Sequence, residues 1–465
     1  MKSDITRQLS ASVYQNTSLR SQIFNFVKDP YHAVINSFGL DVGEILKHTF
    51  NARKGERNYF QLLFLPAIIF WGIILLSFVS QGEILEEGSV FLFGFLAFVI
   101  SYTIVLVRDM NVRNFLKENL SKGSYNDDFQ YNSTNAEYTD YFLKRTNGNV
   151  VFYSGYSPFV GSGIDIGGWS LVVDIDKGKR VMDKKLTPIP FEESELYAAI
   201  SKEINSLRLP NVAVHDKVFI NGKTIRNNRE LLPNELGHPV QDVTTAYMET
   251  VMNNDIKDAR FYKVFQIVDW EGDLVLSAFF RLQKDDKTLF IEHNYFLLPP
   301  INQAFKAIDA VKVQSGIRHF IGWLMGLFFL TLGHTLLSIF KVFGYVNEVI
   351  SEIFGGEASA LRKLVRSSPD YDYGATTSIR EAVSQTNYSQ HFQKLDKERY
   401  FKTIEKRLFN LIGDFLDDKN IDPSEFKERE TSILNQGVIV TGGNLSGENI
   451  AVGKGSKVNF SKKEK

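Results

Sequence analysis

Five glycines between residues 154 and 169 make this stretch the part of the chain best suited to hold an anion. They are Gly155, Gly161, Gly163, Gly167 and Gly168. Glycine lets backbone N–H groups approach a phosphate closely, so such a loop can cradle one. Ser162 lies within the run, and Tyr156 and Trp169 flank it with rings that could stack on a base.

A cluster of basic residues follows this loop and could meet phosphates. The cluster consists of Lys177, Lys179, Arg180, Lys184 and Lys185. Loop and cluster together predict a ligand site for an anionic nucleotide or short oligonucleotide. The alternative is a glycine-rich bend that packs beneath aromatic core residues.

The usual signatures of catalysis are missing from the sequence. It holds no HExxH and no Gly-x-Ser-x-Gly motif, and its lack of cysteine excludes disulfides, thiolate zinc sites and cysteine nucleophiles. Residues 221–224, NGKT, lack the first glycine of a phosphate-binding loop, because Lys217 stands there. We therefore expect no enzyme, no catalytic residue, no cofactor and no metal site.

Length and charge narrow the class of protein. The 465 residues are enough for two or three folded units. The formal net charge of −1 provides no global basic field, which excludes a nucleic-acid coat protein.

Two uncharged apolar runs, residues 59–82 and 88–107, predict a transmembrane hairpin. Each is long enough to cross about 30 Å of hydrocarbon as a helix. The connecting residues 83–87 are mainly acidic and both outer flanks are basic, which puts the flanks in the cytoplasm. We expect a membrane protein; a buried hairpin of a soluble core is the alternative.

A third uncharged run, residues 320–340, predicts another span with two different faces. The polar face carries Thr331, His334, Thr335, Ser338 and Lys341. The opposite face carries Gly322, Gly326 and Gly333, which suit close helix packing. A polar face of this kind could line a pore in a homo-oligomer. Alternatively, the hydroxyls bond their own backbone and His334 bonds a neighbouring helix.

The topology after Lys341 has two solutions. If the third run crosses the bilayer fully, residues 355–465 lie outside the cell. If residues 342–354 turn back as an amphipathic or re-entrant segment, residues 355–465 stay inside the cell.

The predicted fold class is a membrane protein with α-helical transmembrane segments and a cytoplasmic α+β domain built on an antiparallel sheet. The predicted segments are 1–58, an N-terminal helical cytoplasmic segment; 59–107, the hairpin; 108–318, the α+β sensor domain; 319–354, the third transmembrane or re-entrant segment; 355–435, a linker and helical region; and 436–465, a glycine-rich β tail.

Within 108–318, alternating apolar residues predict strands on both sides of the glycine loop and a three-strand meander over 261–300. Leu196, Ile200 and Ile204 share one helix face, and Asn221-Gly222 predicts a tight hairpin turn. We expect one helix, from Ile301 to Arg318, to join the last strand to the third span. Residues 356–388 read as a polar linker, followed by a helix whose apolar stripe needs a partner.

Several stretches resemble a poorly characterised family of bacterial membrane proteins with an SPFVGSG-containing cytoplasmic domain. The similar stretches are TRQLSASVYQN, YSGYSPFVGSGIDIGGWSLVVDI, VHDKVFINGKTI, and LVLSAFFRL through FIEHNYFLLPPI. The tail GGNLSGENIAVGKGSKV is similar to short tails of bacterial anti-phage proteins. The resemblance implies a channel effector of a Hailong-like defence system in the bacterial inner membrane. In such a system a co-encoded nucleotidyltransferase makes the controlling oligonucleotide.

The functional hypothesis is an oligomeric membrane channel or permeabilising effector, gated by a nucleotide on its cytoplasmic domain. Its expected partners are the lipid bilayer, further copies of the chain and the anionic ligand. The alternatives are a membrane-anchored scaffold that recruits proteins without transport and, less favoured, a membrane hydrolase.

Overall fold

The computed structural model describes residues 4–79, 88–125, 136–146, 148–182, 184–310, 317–354 and 356–436. The predicted glycine-rich β tail lies almost entirely outside these residues, as does the loop 83–87.

The N-terminal part is helical, as predicted. Helices α1 (Asp4–Gln15) and α2 (Thr17–Lys28) precede α3 (Val42–Val79), and α4 (Gly88–Asn119) follows. Helices α3 and α4 form an antiparallel pair, with the rings of Phe70 and Phe98 5.3 Å apart. Both are long and apolar enough to cross a membrane.

A mixed six-stranded sheet forms the centre of the folded body. After helix α5 (Ala136–Lys144) come the strands β1 (Val150–Tyr153), β2 (Ile164–Asp174), β3 (Arg180–Val181), β4 (Lys184–Lys185), β5 (Val212–Asn221), β6 (Ala259–Asp269), β7 (Leu274–Lys284) and β8 (Thr288–Leu298). The strand order is β1-β5-β6-β7-β8-β2, and β3 and β4 form a separate two-stranded sheet. Because β1 and β5 run parallel, the expectation of an antiparallel sheet is correct for all but this edge pair.

The meander β6-β7-β8 is confirmed, with its predicted turns near Gly272 and after Lys284. Helix α6 (Glu193–Ser206) is also confirmed, and it buries Leu196, Ile200 and Ile204. The hairpin at Asn221-Gly222 is wrong. Strand β5 continues to Asn221 and leads into an irregular segment before α7 (Thr245–Asn253).

The third apolar run is one continuous helix, α9 (Ile317–Phe354). The helix continues past Lys341 without a break, and whether it crosses a membrane or returns to the same side stays a prediction. Part of the predicted helix from Ile301 to Arg318 is confirmed as a 3-10 turn at Gln303–Lys306 and the short helix α8 (Ala307–Ala310), whereas 311–316 lie outside the described residues.

The chain after α9 packs on the sheet instead of forming a separate region. It contains α10 (Gly356–Ser367), α11 (Ile379–Ala382), α12 (His391–Asp418) and α13 (Ser424–Gln436). The predicted stripe on α12 finds its partner there, since Ile404 and Leu408 share one apolar core with Tyr295. The division between 108–318 and 355–435 therefore does not separate two cores, and "sheet body" below means β1–β8 with the helices packed on them.

The predicted linker 356–388 is an ordered part of this body. Tyr373 is fully buried, and Ala375 exchanges backbone hydrogen bonds with β1, from its N–H to the carbonyl of Phe152 and from the N–H of Ser154 to its own carbonyl, both 2.9 Å. Gly374 lies against Gly222, where a Cβ added to Gly222 would stand 2.1 Å from the Gly374 nitrogen. Glycine at position 222 therefore allows two backbone segments to approach closely and does not form a hairpin turn.

Replacing Gly222 with Ala should destabilise the sheet body, because the new methyl group would collide with the backbone of Gly374. We expect a loss of about 2 kcal/mol, measured by thermal unfolding of the full-length protein in detergent. Gly237→Ala is the control, since its nearest atom would be the Asn234 carbonyl oxygen at 3.4 Å. Equal melting temperatures for both variants would contradict this account of Gly222.

Candidate functional site: the glycine loop and the long apolar helix

The glycine loop binds a carboxylate of the chain itself. The N–H of Gly161 donates to Glu381 Oε2 at 3.0 Å, and the N–H of Gly163 donates to Glu381 Oε1 at 3.1 Å. We call these two N–H groups the glycine nest. The sequence correctly identified a place where backbone donors converge on an anion, but the anion in the structure is Glu381.

Sterics explain why glycine occupies both nest positions. Their φ angles are +84° and +90°, which side chains with a Cβ rarely adopt. A Cβ on Gly163 would lie 2.2 Å from the carbonyl oxygen of Leu297, and one on Gly161 would lie 2.8 Å from Ile35. The loop is therefore clamped against β8 on one side and the N-terminal region on the other.

Short helix α11 presents Glu381 to the nest. Ser378 caps its start by accepting from the N–H of Glu381 at 3.1 Å. The hydroxyl of Thr377 donates to Glu381 Oε2 at 2.9 Å. The carboxylate thus accepts three hydrogen bonds, which compensate for the partial removal of its charge from water.

The adjacent residue, Arg380, ties the same helix to the far end of the meander. Its fully buried guanidinium donates to the carbonyls of Gly272, Asp273 and Pro299, at 3.2, 3.2 and 2.8 Å. Burial lowers the pKa of Arg380 to about 10, so it remains charged at neutral pH. Neighbouring residues 380 and 381 therefore bind two separate parts of the body that precedes α9.

The cavity beside the loop is small. It measures about 40 Å³, and its lining includes Ser162, Arg145, His215 and Lys217. Pockets for small ligands are about 300 to 1,000 Å³, so this cavity as it stands does not hold a nucleotide. Three basic side chains nonetheless lie next to the loop, and none of them was among the predicted ligand residues.

The two aromatic residues predicted to stack on a base have opposite environments. Tyr156 is 98% exposed. Trp169 is buried, stacks on Phe409 at 4.7 Å and donates from Nε1 to Glu405 Oε1 at 3.0 Å. Its ring faces are part of the core, so the prediction of base stacking by Trp169 is corrected. Burial raises the pKa of Glu405 to about 7.

The predicted basic cluster does not lie beside the glycine loop. The nest glycines precede β2 and the basic cluster follows it, so the eleven residues of that strand separate Gly163 from Lys177 by roughly 35 Å. Lys177 lies 3.5 Å from Asp422, and Lys179 lies 3.1 Å from Asp417. Arg180, Lys184 and Lys185 are on or next to the small β3-β4 hairpin and are largely exposed. A single nucleotide cannot touch both the nest and the basic cluster, whereas a site shared by a short oligonucleotide stays a prediction.

The polar stripe of α9 lies inside the chain. Thr331, Thr335 and Ser338 are fully buried, and each hydroxyl donates to a backbone carbonyl of α9 at 2.7 to 2.9 Å. His334 Nδ1 shares a hydrogen bond of 2.7 Å with the hydroxyl of Tyr59. This is the alternative arrangement that the sequence allowed.

Two further contacts bind the stripe to α3. Trp71 Nε1 donates to the Thr335 hydroxyl at 3.1 Å, and Lys341 lies 3.8 Å from Glu56. A pore-lining role for these side chains stays a prediction, and it would require α9 to turn its polar face away from α3.

The glycine face of α9 is open. A Cβ on Gly322, Gly326 or Gly333 would meet nothing within 4 Å. Large apolar side chains surround it, with Phe329 65% and Phe340 67% exposed. Close helix packing through these glycines stays a prediction, and it would have to come from another molecule.

Sequence reasoning missed Glu381 and Arg380. They lie in a stretch read as a polar linker, and Glu381 is 218 and 220 residues away from its two nest glycines. The available clue was Ser378 followed three residues later by Glu381, a helix-start pattern. That pattern indicates a helix but does not reveal its partner.

Comparison with known proteins places most of the chain in one family. Residues 168–447 match the family AbeC, described as the AbeC-like domain, which is associated with abortive infection. The match begins within β2, runs through α9 and α13, and ends at residue 447. Neither a curated protein nor a solved structure matches the chain.

Replacing Glu381 with Ala should leave the two nest N–H groups without an acceptor. Because both bonds are charge-assisted, we expect a loss of about 3 kcal/mol in thermal unfolding of the full-length protein. Glu249→Ala, an exposed glutamate on α7, is the matched control. If the two variants melt at the same temperature, the Glu381 contact does not stabilise the fold.

Glu405 should make the stability depend on pH. The folded protein keeps this proton up to about pH 7, whereas the unfolded chain releases it near the ordinary value of 4.5. The unfolded state therefore binds fewer protons in this window, and stability falls by about 3 kcal/mol as the pH rises through it.

Glu405→Gln should abolish this contribution and still accept the Trp169 hydrogen bond. Melting temperatures at pH 5 and pH 8 test it, with Glu249→Gln as the control. A wild-type pH response in Glu405→Gln would show that Glu405 titrates normally.

Proposed function

We propose that this chain, which belongs to the AbeC-like family, is a membrane-associated effector of abortive infection that acts by permeabilising the bacterial inner membrane. In this proposal it catalyses no reaction. The sheet body lies in the cytoplasm and senses infection, and the apolar helices act on the lipid.

One observation carries the proposal. The family match, 168–447, begins in the sheet and includes the whole of α9, a 38-residue helix that is long and apolar enough to span a membrane. The part of the chain that matches a family associated with abortive infection therefore contains both the sheet body and an exposed apolar helix. Such a surface requires lipid or protein to cover it.

The glycine nest suggests how a ligand could control the helix. Gly161 and Gly163 precede α9 in the chain, and Glu381 follows it. An anionic nucleotide or short oligonucleotide that competes with the Glu381 carboxylate would loosen α11 and so free the chain that leaves α9. This coupling favours ligand gating of an oligomeric channel, with a co-encoded nucleotidyltransferase as the source of the ligand.

A second candidate is a membrane-anchored scaffold that recruits protein partners without transport. The observation that favours it is the buried polar stripe of α9, since Thr331, Thr335 and Ser338 present no polar surface to an aqueous pore in this arrangement. Ion flux separates the two candidates, because only the effector proposal requires it.

The flux experiment uses purified full-length protein in liposomes, with and without short oligonucleotides. We expect ion release from the wild type and a loss of at least tenfold in Phe329→Asp, because a carboxylate on the lipid-facing side of α9 opposes insertion. Phe392→Asp is the matched control, since Phe392 is equally exposed at 65% but lies on α12 of the sheet body. It should leave flux unchanged.

Two results would contradict the effector proposal. One is the absence of flux from reconstituted wild-type protein under every ligand tested, which would favour the scaffold. The other is equal flux in Phe329→Asp and wild type, which would separate permeabilisation from α9.

A further inference from the structure

The chain on the two sides of α9 forms one body. Asn302 donates to the carbonyl of Val383, and Gln385 donates to the carbonyl of Pro300, both at 2.9 Å. Ala375 joins the edge of β1 through hydrogen bonds with Phe152 and Ser154. These are direct backbone contacts between residues that precede the helix and residues that follow it.

Apolar packing extends this connection. Ile301, which precedes α9, shares a buried cluster with Ile379 and Val383, which follow it. A larger cluster joins the sheet to Val365 and to the apolar face of α12. A bilayer with about 30 Å of hydrocarbon cannot pass between groups in van der Waals contact. Both ends of α9 must therefore emerge on the same side of a membrane.

Contacts with the α3-α4 pair lead independently to the same conclusion. Near the start of α9, Trp323 Nε1 donates to Asp109 at 2.9 Å. Near its end, Glu348 binds Arg53 at 2.7 Å. Asp109 and Arg53 both belong to the flanks nearest the sheet body.

Distances along the helices make this quantitative. The Arg108 guanidinium lies 4.3 Å from the centre of the Tyr59 ring, so Asp109 is roughly level with Tyr59, about 9 Å of helix rise from Arg53. Trp323 and Glu348 are 25 residues apart, about 37 Å along α9. If α9 ran parallel to α3, the partners of Trp323 and Glu348 would lie about 37 Å apart along the axis of α3. The two ends of α9 instead contact nearly the same level of the pair, and Thr335 between them contacts Trp71, about 27 Å of helix rise from Arg53. Helix α9 therefore does not run end to end along α3.

The depth of α9 follows from where it touches the pair. Its contacts on α3 extend from Arg53 to Trp71, and those on α4 extend from Phe98, which packs on Phe328, to Arg113, which lies over Trp323. This is the half of the pair nearest the sheet body. The outer surface of α9 in this half is apolar along its length.

We propose that α9 is a monotopic helix that lies in the leaflet next to the sheet body, contacts acyl chains with its exposed apolar face, and does not cross the bilayer. The proposal rests on the membrane association proposed above. It leaves α3 and α4 as the two helices that cross the bilayer and places 356–436 on the same side as the strands. The alternative is that a second copy of the chain, instead of acyl chains, covers the exposed apolar face of α9.

Because the chain has no cysteine of its own, a single introduced cysteine reports the side of the membrane at its position. Single cysteines replace three exposed residues of the full-length protein: Asn205 on α6 before α9, Lys394 on α12 after it, and Val79 at the far end of α3. A membrane-impermeant maleimide is applied to spheroplasts and then to lysed cells. We expect Val79→Cys to react in spheroplasts, and Asn205→Cys and Lys394→Cys to react only after lysis.

The decisive comparison is between the two body cysteines. Reaction of one in spheroplasts and of the other only after lysis would overturn the proposal, because α9 would then cross. Recovery of the protein in the soluble fraction would instead overturn membrane association itself, and with it the proposed function. Reaction of Val79→Cys only after lysis, with the protein in the membrane fraction, would remove the α3-α4 crossing on which the leaflet assignment depends.

A lipid-contact measurement distinguishes the bilayer from a second chain. A fluorophore on Phe340→Cys in proteoliposomes should be quenched at least twofold by lipids brominated on their acyl chains, and one on Phe392→Cys should not. Equal quenching at the two positions, or a Phe340 probe shielded from lipid, would overturn the assignment of this face to acyl chains.

Discussion

Packing of the chain that follows α9 onto the sheet that precedes it is the constraint on which the rest of the structure depends. Helix α12 covers the sheet with an apolar stripe, and α11 fixes two distant parts of the body through adjacent charged residues, Arg380 and Glu381. Because these contacts close a loop around α9, the helix is held at both ends. Its position relative to the membrane is consequently set by the folded body as well as by its own hydrophobicity.

The glycine nest shows how one local chemistry can serve folding or recognition. Convergent backbone N–H groups stabilise any well-placed anion, and a carboxylate is as suitable as a phosphate. Here the occupant is Glu381, and Thr377 provides its third donor. The same contact that completes the body is therefore the contact with which an anionic ligand would compete, so folding and control would share one set of donors.

Much of the architecture was readable from local patterns. Apolar runs predicted the three long helices, alternation predicted the strands beside the glycine loop and the meander β6-β7-β8, and the spacing of Leu196, Ile200 and Ile204 predicted α6. These succeeded because each pattern is confined to neighbouring residues. The failures, such as the hairpin at Asn221-Gly222 and the linker at 356–388, occurred where a remote backbone contact decided the conformation.

The sequence by itself determined that the chain has helices able to meet lipid, a loop able to hold an anion, and no cysteine chemistry. Only the tertiary structure decided that Glu381 fills the nest, that Trp169 is buried against Phe409, and that the polar stripe of α9 faces α3. The reason is physical. A residue's type fixes which interactions it can make, whereas its partner is selected by packing among residues that can lie more than 200 positions away in the chain.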